Sequence, residues 1–218
     1  MKLFVISSPS TVENEIDLVV KLFDEGLEFF HLRKPKYSTS RLSEYLNEIP
    51  KEYRNRISVH SHHELSVKYD LLGIHLTRDH RKKIIRTWLK LKLLKFQRPD
   101  LILSTSFHNL SSLYRNQYTN LFNYVFLSPV FGSISKRGYE AGFNDDQLKA
   151  ALRKTNYKVI ALGGVDITRI DKIKEMNFDG VALLGAIWNS KKPIESYKAI
   201  VKQLSQLDIN VKKIVRKG

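Results

Sequence analysis

The sequence predicts an α/β protein, a single (β/α)₈ TIM-barrel domain spanning residues 1–218. Three observations predict it. Apolar, β-branched runs of four to seven residues recur eight times, each followed by a longer segment of helical period. The runs are nearly continuous in apolar character, as in parallel sheets that helices cover. Eight such units in 218 residues suit a compact closed barrel. An open doubly wound sheet is the competing arrangement. It is disfavoured because Ser7-Ser-Pro-Ser10 follows the first strand where that fold carries a glycine-rich turn.

The first strand is Leu3–Ile6, within an apolar run too short for a signal peptide. A helix over about 11–25 follows. The next units pair Phe29–Leu32 with a helix at 39–48, Ile57–His60 with a short one at 63–69, and Leu72–His75 with 80–96. Leu101–Ser104 precedes a helix at 109–118. Tyr124–Leu127 precedes one at 145–154, whose start is marked by Asn144 and the acids Asp145 and Asp146 in its first turn. Val159–Leu162 leads, past Asp166, to 167–176, and Gly180–Leu183 leads to 194–206.

The chain has no cysteine, which excludes disulfides and thiolate metal sites. No apolar run approaches the ~20 residues of a spanning helix, so no membrane partner is expected and the cytoplasm is the expected location. The net charge is +15, densest from Arg78 to Arg98, where nine of twenty-one residues are Lys or Arg. Such charge attracts anions, either nucleic acid or small phosphorylated substrates. Aromatics there are limited to Trp88 and Phe96, near the spacing of core-facing leucines. The segment is therefore expected to be a solvated helix face, with no nucleic-acid partner. A homo-oligomer is compatible with the sequence.

Chemistry in this fold sits at the C-terminal ends of the strands. Those ends carry His31 and Arg33, His60 and Ser61, His75 and Thr77, and then Ser106 and His108. The loop Ser133-Ile-Ser-Lys136 follows strand six, Gly163-Gly164 strand seven, and Leu184-Gly185 strand eight. Hydroxyls, free backbone N–H groups and an ammonium suit phosphate oxygens, and paired glycines allow close backbone approach. Arg33 offers a fork of donors to a phosphate, whereas Lys34 and Lys36 are expected to be exposed charges. The histidines at 60, 62 and 63 raise the question of a metal, but no matching carboxylate cluster accompanies them. Asp79 is the only acid near the end of strand four. His31 and His108 are candidate proton carriers or rim hydrogen-bonding groups. His75, inside a strand, is expected to be structural.

These motifs resemble the thiamine phosphate synthase/TenI family over nearly the whole chain. The family's Gln-x-Arg-x-Lys after strand two is similar to His31-Leu-Arg-Lys-Pro35, with Arg33 kept. Its Gly-x-Ser-x-His-Thr resembles Ser104-Thr-Ser-Phe-His-Asn109, keeping Ser106 and His108. Its Gly-Pro-x-x-x-Thr-x-Thr-Lys resembles Ser128-Pro-Val-Phe-Gly-Ser-Ile-Ser-Lys136, with serines for both threonines. Ala161-Leu-Gly-Gly-Val165 and Asp179-Gly-Val-Ala-Leu-Leu-Gly-Ala-Ile187 match its two phosphate-loop motifs.

The resemblance implies transfer of a pyrimidine diphosphate onto a thiazole phosphate, with release of pyrophosphate. It implies Arg33, Ser106 and Lys136 on the pyrophosphate side as the catalytic set. It also implies substrate binding by His31, His60, His108, Ser133, Ser135, Gly163, Gly164, Leu184 and Gly185. A Mg²⁺ cofactor is implied too, yet the family's metal acids align with His60-Ser61 and His80, leaving Asp79 as the nearest carboxylate. Two other outcomes stay open: a thiazole tautomerase, although Pro129 stands at that group's catalytic histidine, and a non-catalytic phosphate-ligand binder or regulator.

Overall fold

The computed structural model describes residues 1–114, 121–132 and 143–215, with side chains through residue 207 except that of residue 84. Eight parallel strands close a barrel in chain order: β1 (Lys2–Ile6), β2 (Phe29–Leu32), β3 (Ile57–Val59), β4 (Gly73–Leu76), β5 (Ile102–Phe107), β6 (Tyr124–Leu127), β7 (Val159–Leu162) and β8 (Gly180–Leu183). The barrel closes where β1 pairs with β8, with Phe4 opposite Ala182. Around it lie α1 (Glu15–Asp24), α2 (Thr39–Glu48), α3 (Lys51–Arg54), α4 (Leu65–Lys68), α5 (Arg78–Lys82) and α6 (Ile84–Gln97). After β6 come α7 (Asp145–Lys154), α8 (Ile170–Glu175), α9 (Gly185–Trp188) and α10 (Pro193–Val215). Among the described residues no helix is long and apolar enough to cross a membrane.

Strand residues alternate between two cores because successive side chains point to opposite faces of a sheet. Val5, Phe30, Leu32, Ile57, Ile74, Val125 and Val181 face outward, into the shell between strands and helices. Phe4, Ile6, Tyr124, Phe126, Ile160 and Ala182 form a separate cluster inside the barrel. Both faces of each strand are thus buried, which is why the sequence runs look continuously apolar.

Local signals account for several ends. Asn144 caps α7, its Oδ1 accepting from the Asp146 and Gln147 amides at 2.9 and 3.3 Å. Asp166 likewise accepts from the Thr168 amide at 2.9 Å, opening a 3₁₀ turn at Ile167–Arg169 that runs into α8.

Four expectations are corrected. The helix expected at 80–96 is two helices, because the backbone at Lys83 leaves helical geometry. The helix expected at 109–118 begins as a 3₁₀ turn, Leu110–Tyr114. Trp88 and Phe96 are 52% and 86% exposed, so they do not face the core. The inward face of α6 is set by Leu91 and Leu94, one helical turn apart, and the two aromatics fall off that stripe. Lys34 is not an exposed charge: its ammonium is buried, donates to the Glu15 carboxylate, and donates to the Ser10 carbonyl at 2.7 Å. Tyr45 adds a hydroxyl to the same carboxylate at 3.3 Å. A buried charge persists only when paired and hydrogen-bonded in this way. The pair ties the loop after β1 to the end of β2, where Arg33 emerges.

Candidate active site at the barrel mouth

Three consecutive strands bring histidines into the barrel interior. His31 sits on β2 opposite Ser58, and His75 sits on β4 opposite Ser104, which in turn faces Tyr124 on β6. His60 follows β3 immediately. The His31 ring is the hub: Nδ1 lies 3.0 Å from Nε2 of His60, and Nε2 lies 2.7 Å from the Tyr124 hydroxyl. His75 stacks on His60 with ring centroids 4.1 Å apart. Its Nδ1 lies 3.0 Å from the Ser104 hydroxyl and its Nε2 3.0 Å from that of Ser106.

All three rings are buried, and burial disfavours the imidazolium form. It pushes His31 down to about 3. His60 and His75 are held well below the ordinary histidine value by burial first, then by the neighbouring histidines, where a second proton would repel the first, and by Arg33 and Arg81. Burial also raises Tyr124, so the network holds a neutral phenol and three neutral imidazoles at pH 7. Its hydrogen bonds are between neutral groups, which suits positioning and exchange of protons rather than charge pairing.

The rim above this cluster carries the polar groups expected there. Arg33 is exposed, and its charge contributes to keeping His60 neutral. Its backbone is held by Ser7, whose Oγ accepts from the Arg33 amide at 2.7 Å and donates to its carbonyl at 3.2 Å. Ser106 lies near the end of β5, which runs three residues further than expected, and its carbonyl accepts from the Arg81 guanidinium at 2.9 Å. His108 is exposed and donates from Nδ1 to the Ser128 carbonyl at 2.7 Å, fixing the start of the loop after β6. Ser133, Ser135 and Lys136 lie outside the described residues.

The far side of the mouth is built from backbone. A cavity of about 470 Å³ opens there, lined by Ser128, Gly163, Gly164, Leu184, Gly185 and Asn189 among others. Gly163 and Gly164 adopt φ of +91° and +66°, a region that L side chains rarely enter. A Cβ on Gly163 would approach the Pro129 Cα to 2.9 Å, and one on Gly164 would meet the Gly132 carbonyl at 2.7 Å. The Arg169 guanidinium donates to the Gly164 carbonyl at 2.7 Å and lies 4.9 Å over the Phe131 ring. These glycines therefore serve the turn and the approach to the cavity together. Gly185 differs, because a Cβ there would meet only the Asn189 amide nitrogen, at 3.4 Å.

The structure thus gathers His31, His60 and Ser106 on one side and Gly163, Gly164, Leu184 and Gly185 on the other. It adds two groups to these. Tyr124 belongs to an apolar run and does not stand out, and His75, expected to be structural, joins the cluster through both ring nitrogens. Their inward register, visible as alternation with the outward Val125 and Ile74, was the available signal.

The donors present near the ends of β3 and β4 do not suit magnesium. Asp79 is exposed in the first turn of α5. His80 serves as a cap, its Nδ1 accepting from the Thr77 amide at 3.2 Å. Among the described residues, the group of three or more metal-capable side chains that converges is His31, His60 and His75, with no carboxylate among them. Mg²⁺ requires hard oxygen ligands, so the described residues do not fit it.

Comparison with known proteins gives this mouth a context. A thiamine-phosphate synthase of Prochlorococcus marinus subsp. pastoris is 24% identical over 207 residues, covering 93% of this chain and 56% of the relative. A second from Prochlorococcus marinus, 26% identical over 161 residues, is covered to 44%, so the chain spans about half the length of these two curated relatives. The thiamine-phosphate synthase of Lysinibacillus sphaericus is matched end to end, at 24% identity over 95% of this chain and 97% of its own. In structure, thiamine phosphate pyrophosphorylase from Bacteroides thetaiotaomicron superposes with a TM-score of 0.73 at 26% identity, over 95% of this chain and 98% of that one. That from Pyrococcus furiosus gives 0.74 at 16% identity, over 94% and 96%, a likeness of fold. The thiamine monophosphate synthase family model matches residues 3–187, from the first strand to the helix that follows the last, and thus takes in both sides of the mouth. By that match the chain belongs to the thiamine monophosphate synthase (TMP-TENI) family.

Proposed function

We propose that the chain is a cytoplasmic thiamine-phosphate synthase that joins hydroxymethylpyrimidine diphosphate to thiazole phosphate and releases pyrophosphate. The observation that carries the proposal is the glycine-walled cavity at the ends of β7 and β8 in a chain matched by the family model across its whole barrel. The absence of cysteine is compatible with a reducing compartment.

The thiazole phosphate occupies the cavity at Gly163, Gly164, Leu184 and Gly185, where bare backbone lets N–H groups approach its oxygens. The pyrimidine diphosphate lies across the mouth, its anionic end toward Arg33 and Ser106. The bond between the pyrimidine methylene carbon and the diphosphate oxygen breaks, and pyrophosphate leaves with the electron pair. The thiazole nitrogen lone pair then forms the new C–N bond. Arg33 and Lys136 counter the departing charge, and the hydroxyls at 133 and 135 complete the phosphate cradle. The histidine network beneath the mouth, neutral through burial, adds no charge beside the pyrimidine. Holding both partners in line is the main source of acceleration in such a reaction.

The test is formation of thiamine phosphate from the two substrates by purified protein, with divalent metals varied. The proposal expects turnover that falls about tenfold or more in Lys136→Ala, where removal of one well-placed charge-stabilising group typically costs roughly 100- to 1,000-fold. Absence of product with every metal rejects it. Interconversion of thiazole tautomers without pyrimidine would instead assign isomerase chemistry.

A further inference from the structure

His31 on β2, His60 after β3 and His75 on β4 each present a ring nitrogen, and these nitrogens lie within 4.8 Å of one another. The geometry points to a transition-metal site of the zinc class held by His31, His60 and His75. Nothing in the reaction proposed above is needed for it.

Ligand chemistry supports the choice of metal. Imidazole suits zinc, cobalt, nickel and copper, and three protein nitrogens with an open position are a set used by reactive zinc sites. Two ligands of one tetrahedral ion stand ~3.3 Å apart, given metal–nitrogen bonds of ~2.0–2.1 Å. His31 Nδ1 and His60 Nε2 stand 3.0 Å apart. One N–H must lie between those two nitrogens in the absence of an ion. A metal takes its place by a tautomer change, each ring keeping its other N–H and staying neutral.

The surroundings are those of ligating histidines, whose second nitrogen usually donates to an oxygen. His31 Nε2 has the Tyr124 hydroxyl at 2.7 Å for that purpose. The Ser104 hydroxyl donates to the Ile74 carbonyl at 3.4 Å, so it accepts from His75 Nδ1–H, which leaves Nε2 with the lone pair. That lone pair is held by the Ser106 hydroxyl, which a metal would displace. The backbones of His31 and His75 are fixed by strand pairing, as a precise site requires. The stack of His60 on His75 sets their rings side by side, so binding tilts one ring out of the 4.1 Å stack.

The test uses the full chain stripped of metal, with Co²⁺ and Zn²⁺ as probes. Co²⁺ titration should develop the visible absorption of a four- or five-coordinate ion and saturate at one equivalent, and calorimetry with Zn²⁺ should give the same stoichiometry. His60 is the least buried of the three, so His60→Asn is the variant expected to keep its fold, as circular dichroism would verify. It should weaken Co²⁺ binding by more than the roughly 10- to 100-fold expected for loss of the Tyr124 hydroxyl in Tyr124→Phe. His63→Asn, outside the cluster, should bind as the parent does. The assignment is overturned if the parent protein gives neither visible absorption nor binding heat, or if folded His60→Asn binds Co²⁺ as tightly as the parent. Loss of binding in His63→Asn alone would overturn it as well, by moving the site to His63 and the His80 ring beside it.

Discussion

The two sides of the barrel interior are built on different principles. On β6, β7, β8 and β1 the inward residues include Phe126, Ile160, Ala182 and Phe4, and the mouth beyond β7 and β8 is backbone at Gly163, Gly164 and Gly185. On β2 to β5 they include His31, His75, Ser104 and Ser106 as well as Phe29 and Ile102, with His60 at the end of β3, and the mouth above them is side chains. The glycine side presents bare backbone at tight turns, where the proposed reaction places the thiazole phosphate. The histidine side is built from side chains, whose ring nitrogens and hydroxyls form one hydrogen-bonded network. One barrel interior thus sets a backbone-walled side next to a network of polar side chains.

Acid should separate the two sides most strongly. His31 is depressed to about 3 and His63 to about 4, with His60 and His75 also well down, all by burial first. Unfolded histidines titrate near ~6.5, so between there and the folded values the unfolded chain binds more protons. Stability is therefore fully present above pH ~6.5 and drains away as pH falls toward 3. Thermal melts of metal-free protein from pH 7.5 to 4 should show a progressive fall in Tm; a flat profile would mean that the histidines are not buried as neutral rings.

On the glycine side, Gly164→Ala is expected to be the most damaging single change. It forces a side chain into φ of +66° and against the Gly132 carbonyl, at about 1–3 kcal/mol for the backbone strain alone. Denaturant unfolding should show the loss, with a raised KM for the phosphorylated thiazole. On the histidine side, Tyr124→Phe removes the partner of His31 Nε2 and leaves a buried nitrogen unsatisfied, costing about 1–3 kcal/mol. An unchanged midpoint in urea would show that the network adds little to stability. Gly185→Ala should be the mildest for the fold, within about 0.5 kcal/mol, because the new methyl meets only the Asn189 amide. That methyl nevertheless enters the cavity, so KM for the thiazole phosphate should rise while Tm holds.

Much of the scaffold was legible in the chain. The bounds of β2, β6, β7 and β8 coincide with the apolar runs that predict them, because both faces of these strands are buried and no polar alternation blurs their ends. Asn144 and Asp166 announced helix starts through local side-chain chemistry. Lys34 was misjudged because nothing local distinguishes a solvated lysine from one whose partner, Glu15, is nineteen residues away. Trp88 and Phe96 were misjudged because a helix's inward face is set by what it packs against, and the stripe at Leu91 and Leu94 prevailed. At the mouth, Arg33, Ser106 and the glycine turns are visible as motifs, His75 is visible but reads as structural, and Tyr124 is hidden inside an apolar strand.

Period and local chemistry therefore determined the barrel, its strand order and the rim positions where chemistry gathers, since burial patterns, caps and turns are written within a few residues of where they act. Only closure of the barrel decided that three histidines from three strands meet a tyrosine from a fourth, as neutral rings away from water. Their encounter depends on strand register and on distances across the interior, as between His31 and Tyr124, ninety-three residues apart in the chain.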